Sequence, residues 1–96
     1  MNNAISSLVD REIALRHVEL ANRHVAESQK RVQAQVALVA RLARDGHDTA
    51  QAKSLLQQFE DTLALQVETR DRILQELRRE DRLYFSKLVE RQWGHM

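Results

Sequence analysis

Valine recurs at every seventh position in the first half of the chain, at residues 18, 25, 32 and 39. A second column with the same period consists of Leu8, Leu15, Asn22, Gln29, Val36 and Ala43. Two apolar columns with a seven-residue period are typical of long helices that pack side by side. The first half therefore predicts one helix, from about residue 6 to residue 44, with these two columns as its packing seam.

The second half shows the same period with larger side chains. One column contains Leu56, Leu63, Leu77 and Tyr84, and Arg70 interrupts it. The neighbouring positions are occupied by Phe59, Val67, Ile73, Leu74 and Leu88. This pattern predicts a second helix, from about residue 49 to residue 92. Each predicted helix has about 40 residues and would be about 60 Å long.

The two periodic segments are separated by a short turn, residues 45–48, which begins with Asp45. Gly46 follows the first segment closely enough to adopt the left-handed conformation that ends many helices. Asp48 is suited to accept hydrogen bonds from the free amides of a new helix, and Gln51 could complete a capping box with it. Thr49 is the alternative N-cap. The turn predicts an antiparallel helical hairpin.

In a hairpin that turns at residues 46–47, the numbers of facing residues add up to roughly 94. The facing pairs would be Val39 with Leu55, Val36 with Phe59, Val32 with Leu63, Val18 with Leu77, and Leu8 with Leu88. The predicted seam, shared between the hairpin core and a dimer, consists of Leu15, Val18, Val25, Val32, Val36, Val39, Leu56, Phe59, Leu63 and Leu77.

The middle of this seam is polar. Asn22, Ser28 and Gln29 of the first helix would face the region of Gln66 and Arg70. Two interpretations are open at this point. A polar layer between apolar ends can determine register and partner number, or these side chains can lie beside the seam, in water.

The composition favours an all-α protein that associates with itself. The chain has 96 residues, no proline and only two glycines, which suits long uninterrupted helices. Only 4% of the residues are aromatic, so one hairpin has little bulk for a core. It would leave Ala21, Val25, Ala37, Leu42, Leu65 and Leu74 partly exposed. The sequence therefore predicts a homodimer that forms a four-helix bundle.

The charge balance favours a protein partner over nucleic acid. The formal net charge is only +1, whereas phosphate binding requires a surface of one sign. An arginine-rich second helix that associates with nucleic acid, and a purely structural coiled-coil spacer, remain the alternatives. The chain has no cysteine, no signal-peptide pattern and no apolar run of transmembrane length, and so the sequence predicts a cytoplasmic protein.

The repeat Arg-His-Val at residues 16–18 and 23–25 is the first candidate for chemistry. His17 and His24 are two helical turns apart, about 10.5 Å, which is too far for both to bind one zinc ion. The repeat fits heptad packing with a charged surface better. The serines lie within predicted helices, without a glycine-rich loop or a base beside them. The sequence therefore predicts no catalytic residues, no cofactor and no metal.

An aromatic segment near the end of the chain is the second candidate. Tyr84, Phe85, Leu88, Val89 and Trp93 follow a helical spacing. Large aromatic side chains are frequent in binding hot spots. This group is the predicted partner patch, and a fraying end with an exposed Trp93 is its alternative.

Three stretches carry a resemblance: HVAE at residues 24–27, RLARDGHDTAQAKSLLQQFEDTLAL at residues 41–65, and RDR at residues 70–72. They resemble short uncharacterised helical-hairpin proteins of alpha-proteobacteria, in which the DGHDT turn is the most distinctive element. The resemblance covers roughly residues 16–77 and implies a bacterial cytosolic protein. It carries no activity, cofactor or partner with it.

Overall fold

The computed structural model describes the backbone of residues 2–93 and the side chains of residues 10–83. Helix α1 is Asn2–Arg44 and helix α2 is Ala50–Trp93. The two helices run antiparallel and pack against each other, with contacts from Gln35 and Ala52 near the turn to Arg11 and Asp81 towards the other end. The predicted all-α helical hairpin is confirmed.

The hairpin is a rod that is one pair of helices thick. Its principal extents are 76 × 25 × 14 Å, and its radius of gyration is 21.7 Å. A compact domain of this length would have a radius of gyration of about 12 to 13 Å. Both sides of the helix pair are therefore open to solvent within one copy of the chain.

Helix α1 ends in a Schellman motif built around Gly46. This glycine has a φ of 76°, in the left-handed region. Its N–H donates to the carbonyl of Ala43 at 3.2 Å, and the N–H of His47 donates to the carbonyl of Leu42 at 2.9 Å. These are the two hydrogen bonds that define the motif, and they satisfy carbonyls that the helix end would otherwise leave unpaired.

Both predicted N-cap residues take part in the start of α2. The Oδ1 atom of Asp48 accepts a hydrogen bond from the N–H of Ala50 at 2.9 Å. The carbonyl of Thr49 accepts the first helical bond, from the N–H of Lys53, also at 2.9 Å. With Gly46 ending one helix and Asp48 beginning the next, the chain reverses within residues 45–49.

The seam of α1 is only partly the predicted one. Val18, Val25, Val32 and Val39 face α2, and Val25 is 3% exposed. Leu15 and Val36, however, are 44% and 49% exposed, so their assignment to the seam within the hairpin is wrong. The column that accompanies the valines consists of Ala14, Ala21, Ser28, Gln35 and Leu42.

Side-chain size distinguishes the two columns in the half of α1 nearer its N-terminus, and a hydrogen bond does so nearer the turn. Both candidate columns have a seven-residue period, and each flanks the valines on one side. The small Ala14 and Ala21 face α2 in the first part of α1, whereas nearer the turn the residue that faces α2 is Gln35, whose amide donates to the carbonyl of Ala52. Val36 consequently does not face Phe59, and Val25, already buried inside the hairpin, needs no second copy to cover it.

The seam of α2 agrees with the predicted column. Leu56, Phe59, Leu63 and Leu77 all face α1, and Leu77 is buried. Arg70 lies in the same column with its side chain partly covered. Within the part of the chain that the structure describes, no helix is apolar enough over a sufficient length to span a membrane.

Candidate interaction surface

A polar layer crosses the middle of the seam. The hydroxyl of Ser28, which is buried, donates a hydrogen bond to Oε1 of Gln66. Closer to the turn, Nε2 of the buried Gln35 donates to the carbonyl of Ala52 at 3.0 Å. Such bonds favour one alignment of the helices, because a shifted register would leave buried polar groups unpaired.

The structure separates the two interpretations of this polar region. Ser28 and Gln66 form the layer, whereas Asn22 and Gln29 are exposed beside the seam. Sequence reasoning did not single out Gln35. The signal was present, since Gln35 belongs to the heptad column that also contains Ser28.

An ion pair joins the helices towards the open end of the hairpin. The guanidinium of Arg11 contacts the carboxylate of Asp81 through both of its terminal nitrogens. Both side chains are more than one third exposed. The ion pair therefore contributes little to stability, and its main effect is to favour this alignment of the two helices.

The two sides of the helix pair differ in composition. His24 and Thr69 lie on the same side of the seam, since together with Ala21 and Gln66 they line one depression of about 250 Å³. We call this side the His24 flank; it consists of His17, His24, Arg31, Leu38, Leu55, Thr62, Thr69, Glu76 and Leu83. The opposite side is the Leu15 flank; it consists of Leu15, Asn22, Gln29, Val36, Glu60, Val67, Leu74 and Asp81.

Large apolar side chains are exposed on both sides of the hairpin. Leu15 and Val36 belong to the Leu15 flank, to which α2 contributes the half-buried Val67 and Leu74. The other exposed large apolar residues of the described part lie on or next to the His24 flank: Ile13, Leu20, Leu55, Leu65 and Leu83. Both flanks are therefore candidate surfaces for contacts with further protein.

The repeated histidines lie on the surface, as the heptad interpretation predicts. His17 and His24 are both exposed. Among the described residues, no group of three histidine, aspartate or glutamate side chains is placed to hold a metal ion. In the depression beside His24, Oε1 of Gln66 accepts a hydrogen bond from Ser28, and the hydroxyl of Thr69 donates to the carbonyl of Leu65.

A second depression, of about 470 Å³, is lined by α2 alone, including Ala64, Glu68 and Arg72. A surface formed by one helix is convex. It offers a groove between side chains and no enclosed space for a substrate.

Two arginines of α2 form ion pairs with acids on the same helix. Arg72 pairs with Glu68 one turn earlier at 3.2 Å. Arg70 pairs with its neighbour Asp71, also at 3.2 Å. In this region α2 presents alternating charge to solvent.

The predicted partner patch of Tyr84, Phe85, Leu88, Val89 and Trp93 lies outside the described side chains. It stays a prediction. The apolar surface that the structure does describe is the Leu15 flank and the His24 flank.

No family model matches the chain, and neither a curated protein nor a solved structure is significantly similar to it. The resemblance to alpha-proteobacterial hairpin proteins therefore stays a prediction.

Proposed function

We propose that this chain is a small non-enzymatic helical interaction module that acts as a homodimer, in which two hairpins form a four-helix bundle. The observation that carries the proposal is the exposed area. One copy exposes 8228 Å², whereas a compact monomer of this length exposes about 5,700 Å². The excess is about 2,500 Å² per chain.

This excess matches the requirement of a stable dimer. If each copy covered half of it, the interface would bury about 2,500 Å² in total, within the range of stable homodimers. A four-helix bundle built from two hairpins would cover one flank of each helix pair, with its exposed apolar side chains. The second side would remain exposed in the dimer, which supports a role as an adaptor, regulator or inhibitor that binds a further protein.

The charges support a protein partner over nucleic acid. The arginines at residues 70 and 72 already have acidic neighbours, and phosphate contacts would have to displace them. Binding to nucleic acid would fall steeply with added salt, whereas association through apolar flanks would be nearly independent of salt.

Sedimentation equilibrium on the purified full chain, from about 1 to 500 μM and at two salt concentrations, tests the proposal. We expect a single dimer species with little salt dependence. A folded monomer over the whole range would contradict the proposal, because the apolar flanks would then remain in water without a second copy. Circular dichroism at the same concentrations establishes that the chain is helical in either case.

A further inference from the structure

We infer that the Leu15 flank is the dimer interface, and that the two hairpins meet there with their turns at opposite ends. The inference rests on the proposed function and adds to it the surface, the orientation and the residue pairs. In this arrangement a two-fold axis runs perpendicular to the helices, so that α1 packs antiparallel on α1 of the partner copy and α2 on α2.

The order of residues along α1 carries the first part of this inference. At heptad intervals the Leu15 flank contains Leu15, Asn22, Gln29 and Val36. The order is apolar, polar, polar, apolar, and it is symmetric about the point between Asn22 and Gln29. When α1 is laid antiparallel on a second copy about this point, Leu15 meets Val36 and Asn22 meets Gln29. Apolar side chains thus face apolar ones, and the amides face each other.

The order along α2 is compatible with the same pairing. Val67 and Leu74 are adjacent in its heptad column, so an antiparallel pairing about the point between them places Val67 against Leu74. Glu60 and Asp81 are the next residues outward. The same pairing brings the carboxylate of Glu60 in one copy to that of Asp81 in the other, and Asp81 already has the guanidinium of Arg11 as its partner.

The two symmetry points lie at the same level of the hairpin. The point in α1 is between residues 22 and 29, and the point in α2 is between residues 67 and 74. The hydrogen bond from Ser28 to Gln66 sets the register, and by that register the two points differ by about two residues, or roughly 3 Å along the axis. One two-fold axis can therefore serve both helices.

The other arrangements are less complementary. A two-fold axis parallel to the helices on the Leu15 flank would place Leu15 against Asp81 and Val36 against Glu60. An interface through the His24 flank would bury Arg31 and Glu76, together with His17 and His24. Removing charged groups from water is costly unless each one gains a partner. On the Leu15 flank, α1 contributes no charged residue from Leu15 to Val36.

The absence of cysteine makes the test direct. Leu15→Cys and Val36→Cys chains would be prepared separately, mixed, denatured and refolded together, and oxidised gently with oxidised glutathione. We expect a disulfide-linked dimer in the mixture and none with either variant alone. Residues 15 and 36 of one helix are about 32 Å apart, whereas a disulfide requires Cα atoms within about 7 Å. Each variant alone would therefore hold its two thiols far apart.

A mixture of Leu38→Cys and Leu55→Cys chains is the matched control. Cross-linking there, without cross-linking of the first mixture, would overturn the inference in favour of the His24 flank. Cross-linking of the Leu15→Cys chain alone would overturn the antiparallel orientation. A dimer in which neither mixture cross-links would also contradict the assigned interface. All of these results would leave the proposed dimer intact, whereas a monomer in sedimentation would remove the proposed function itself.

A second measurement does not depend on disulfide geometry. Leu15 and Leu20 are both leucines of α1 and are 44% and 46% exposed, but they point to opposite sides of the hairpin. We expect Leu15→Glu to raise the dimer Kd about a hundredfold, since each of two symmetric copies costs about tenfold. We expect Leu20→Glu to change the Kd less than about twofold. Equal effects of the two variants would contradict the inference.

Discussion

The hydroxyl of Ser28 donates across the seam to Oε1 of Gln66, and this bond joins the two helices near the middle of their length. Ser28 is buried, whereas Gln66 is half-buried. Water therefore has limited access to this hydrogen bond, and a shift in the register of the helices would leave its two groups buried and unpaired. It links the sequence pattern, the alignment of the hairpin and the position of the proposed two-fold axis.

Ser28→Ala should lower the free energy of unfolding by about 1 kcal/mol, because Gln66 loses the donor to its side-chain oxygen. Urea unfolding at one fixed protein concentration measures this, since the stability of a dimer depends on concentration. Ser54→Ala is the control. Ser54 is exposed on α2, so its replacement reports only the higher helix propensity of alanine.

The double variant Ser28→Ala with Gln66→Leu completes a cycle with the two single variants. We expect a coupling free energy of about 0.5 to 1 kcal/mol between the two positions. Coupling indistinguishable from zero would show that the bond does not contribute to stability in solution. The double variant removes both polar groups, and it should therefore be more stable than the two separate effects predict.

Gly46→Ala should destabilise the hairpin by about 1 to 2 kcal/mol. The φ of Gly46 is 76° and no atom lies within 4 Å of the place that a Cβ would occupy. The cost is therefore backbone strain of the left-handed conformation and not a steric clash. Thermal unfolding of Gly46→Ala and Gly46→Asn separates these causes.

Asparagine tolerates the left-handed region better than alanine does. We expect Gly46→Asn to lie between the wild-type chain and Gly46→Ala in stability. If both variants were equally destabilised, a contact outside this hairpin, and not the backbone conformation, would be the reason for glycine at this position.

The turn could be predicted from the sequence because its physics is local. Gly46 and Asp48 act on backbone groups within a few residues of themselves, so their roles do not depend on the rest of the fold. The valine column could also be predicted, because an unbroken apolar column at heptad spacing is the pattern of a helix that packs along its length. The register followed from the turn by counting.

The second seam column of α1 could not be predicted as easily. The columns that contain Leu15 and Ala14 have the same period, and hydrophobicity alone favours the one with Leu15. The structure decides between them: Ala14 and Ala21 face α2, the hydrogen-bonded Gln35 does so nearer the turn, and Leu15 and Val36 remain outside. The same two residues then define the proposed interface, which one copy of the chain cannot reveal.

Asp81→Asn should have a small effect, below about 1 kcal/mol, because exposed ion pairs gain little in water. The guanidinium of Arg11 and the carboxylate of Asp81 are both well exposed. Urea unfolding at low and high salt measures the effect, and most of it should vanish in about 1 M salt. Asp71→Asn is the control, since the partner of Asp71 is its neighbour Arg70 and not the other helix.

If Asp81→Asn lowered the free energy of unfolding by several kcal/mol, the description of Arg11 and Asp81 as an exposed ion pair would be contradicted. Such a loss would indicate that Asp81 is buried in the assembled protein, as it would be if the dimer covered this carboxylate without compensation. The size of the effect thus also reports on the surroundings of Glu60 and Asp81 in the proposed dimer.

Gln35 offers the sharpest test of why the seam retains polar side chains. Its Nε2 donates to the carbonyl of Ala52 at 3.0 Å, and Gln35 itself is buried. That carbonyl lies in the first turn of α2 and also accepts a helical hydrogen bond. Gln35→Leu, which leaves it paired, should therefore keep or raise the stability. Gln35→Glu has the same size but places an acceptor against the carbonyl oxygen, and it should cost about 2 kcal/mol or more at neutral pH.

Urea unfolding of the two variants side by side measures both effects. If Gln35→Leu lost as much stability as Gln35→Glu, the amide would contribute net stability. If Gln35→Leu lost no stability, the role of Gln35 would be to select one register of the helices. Distances between spin labels on the two helices of the Gln35→Leu chain should then show a mixed or shifted alignment.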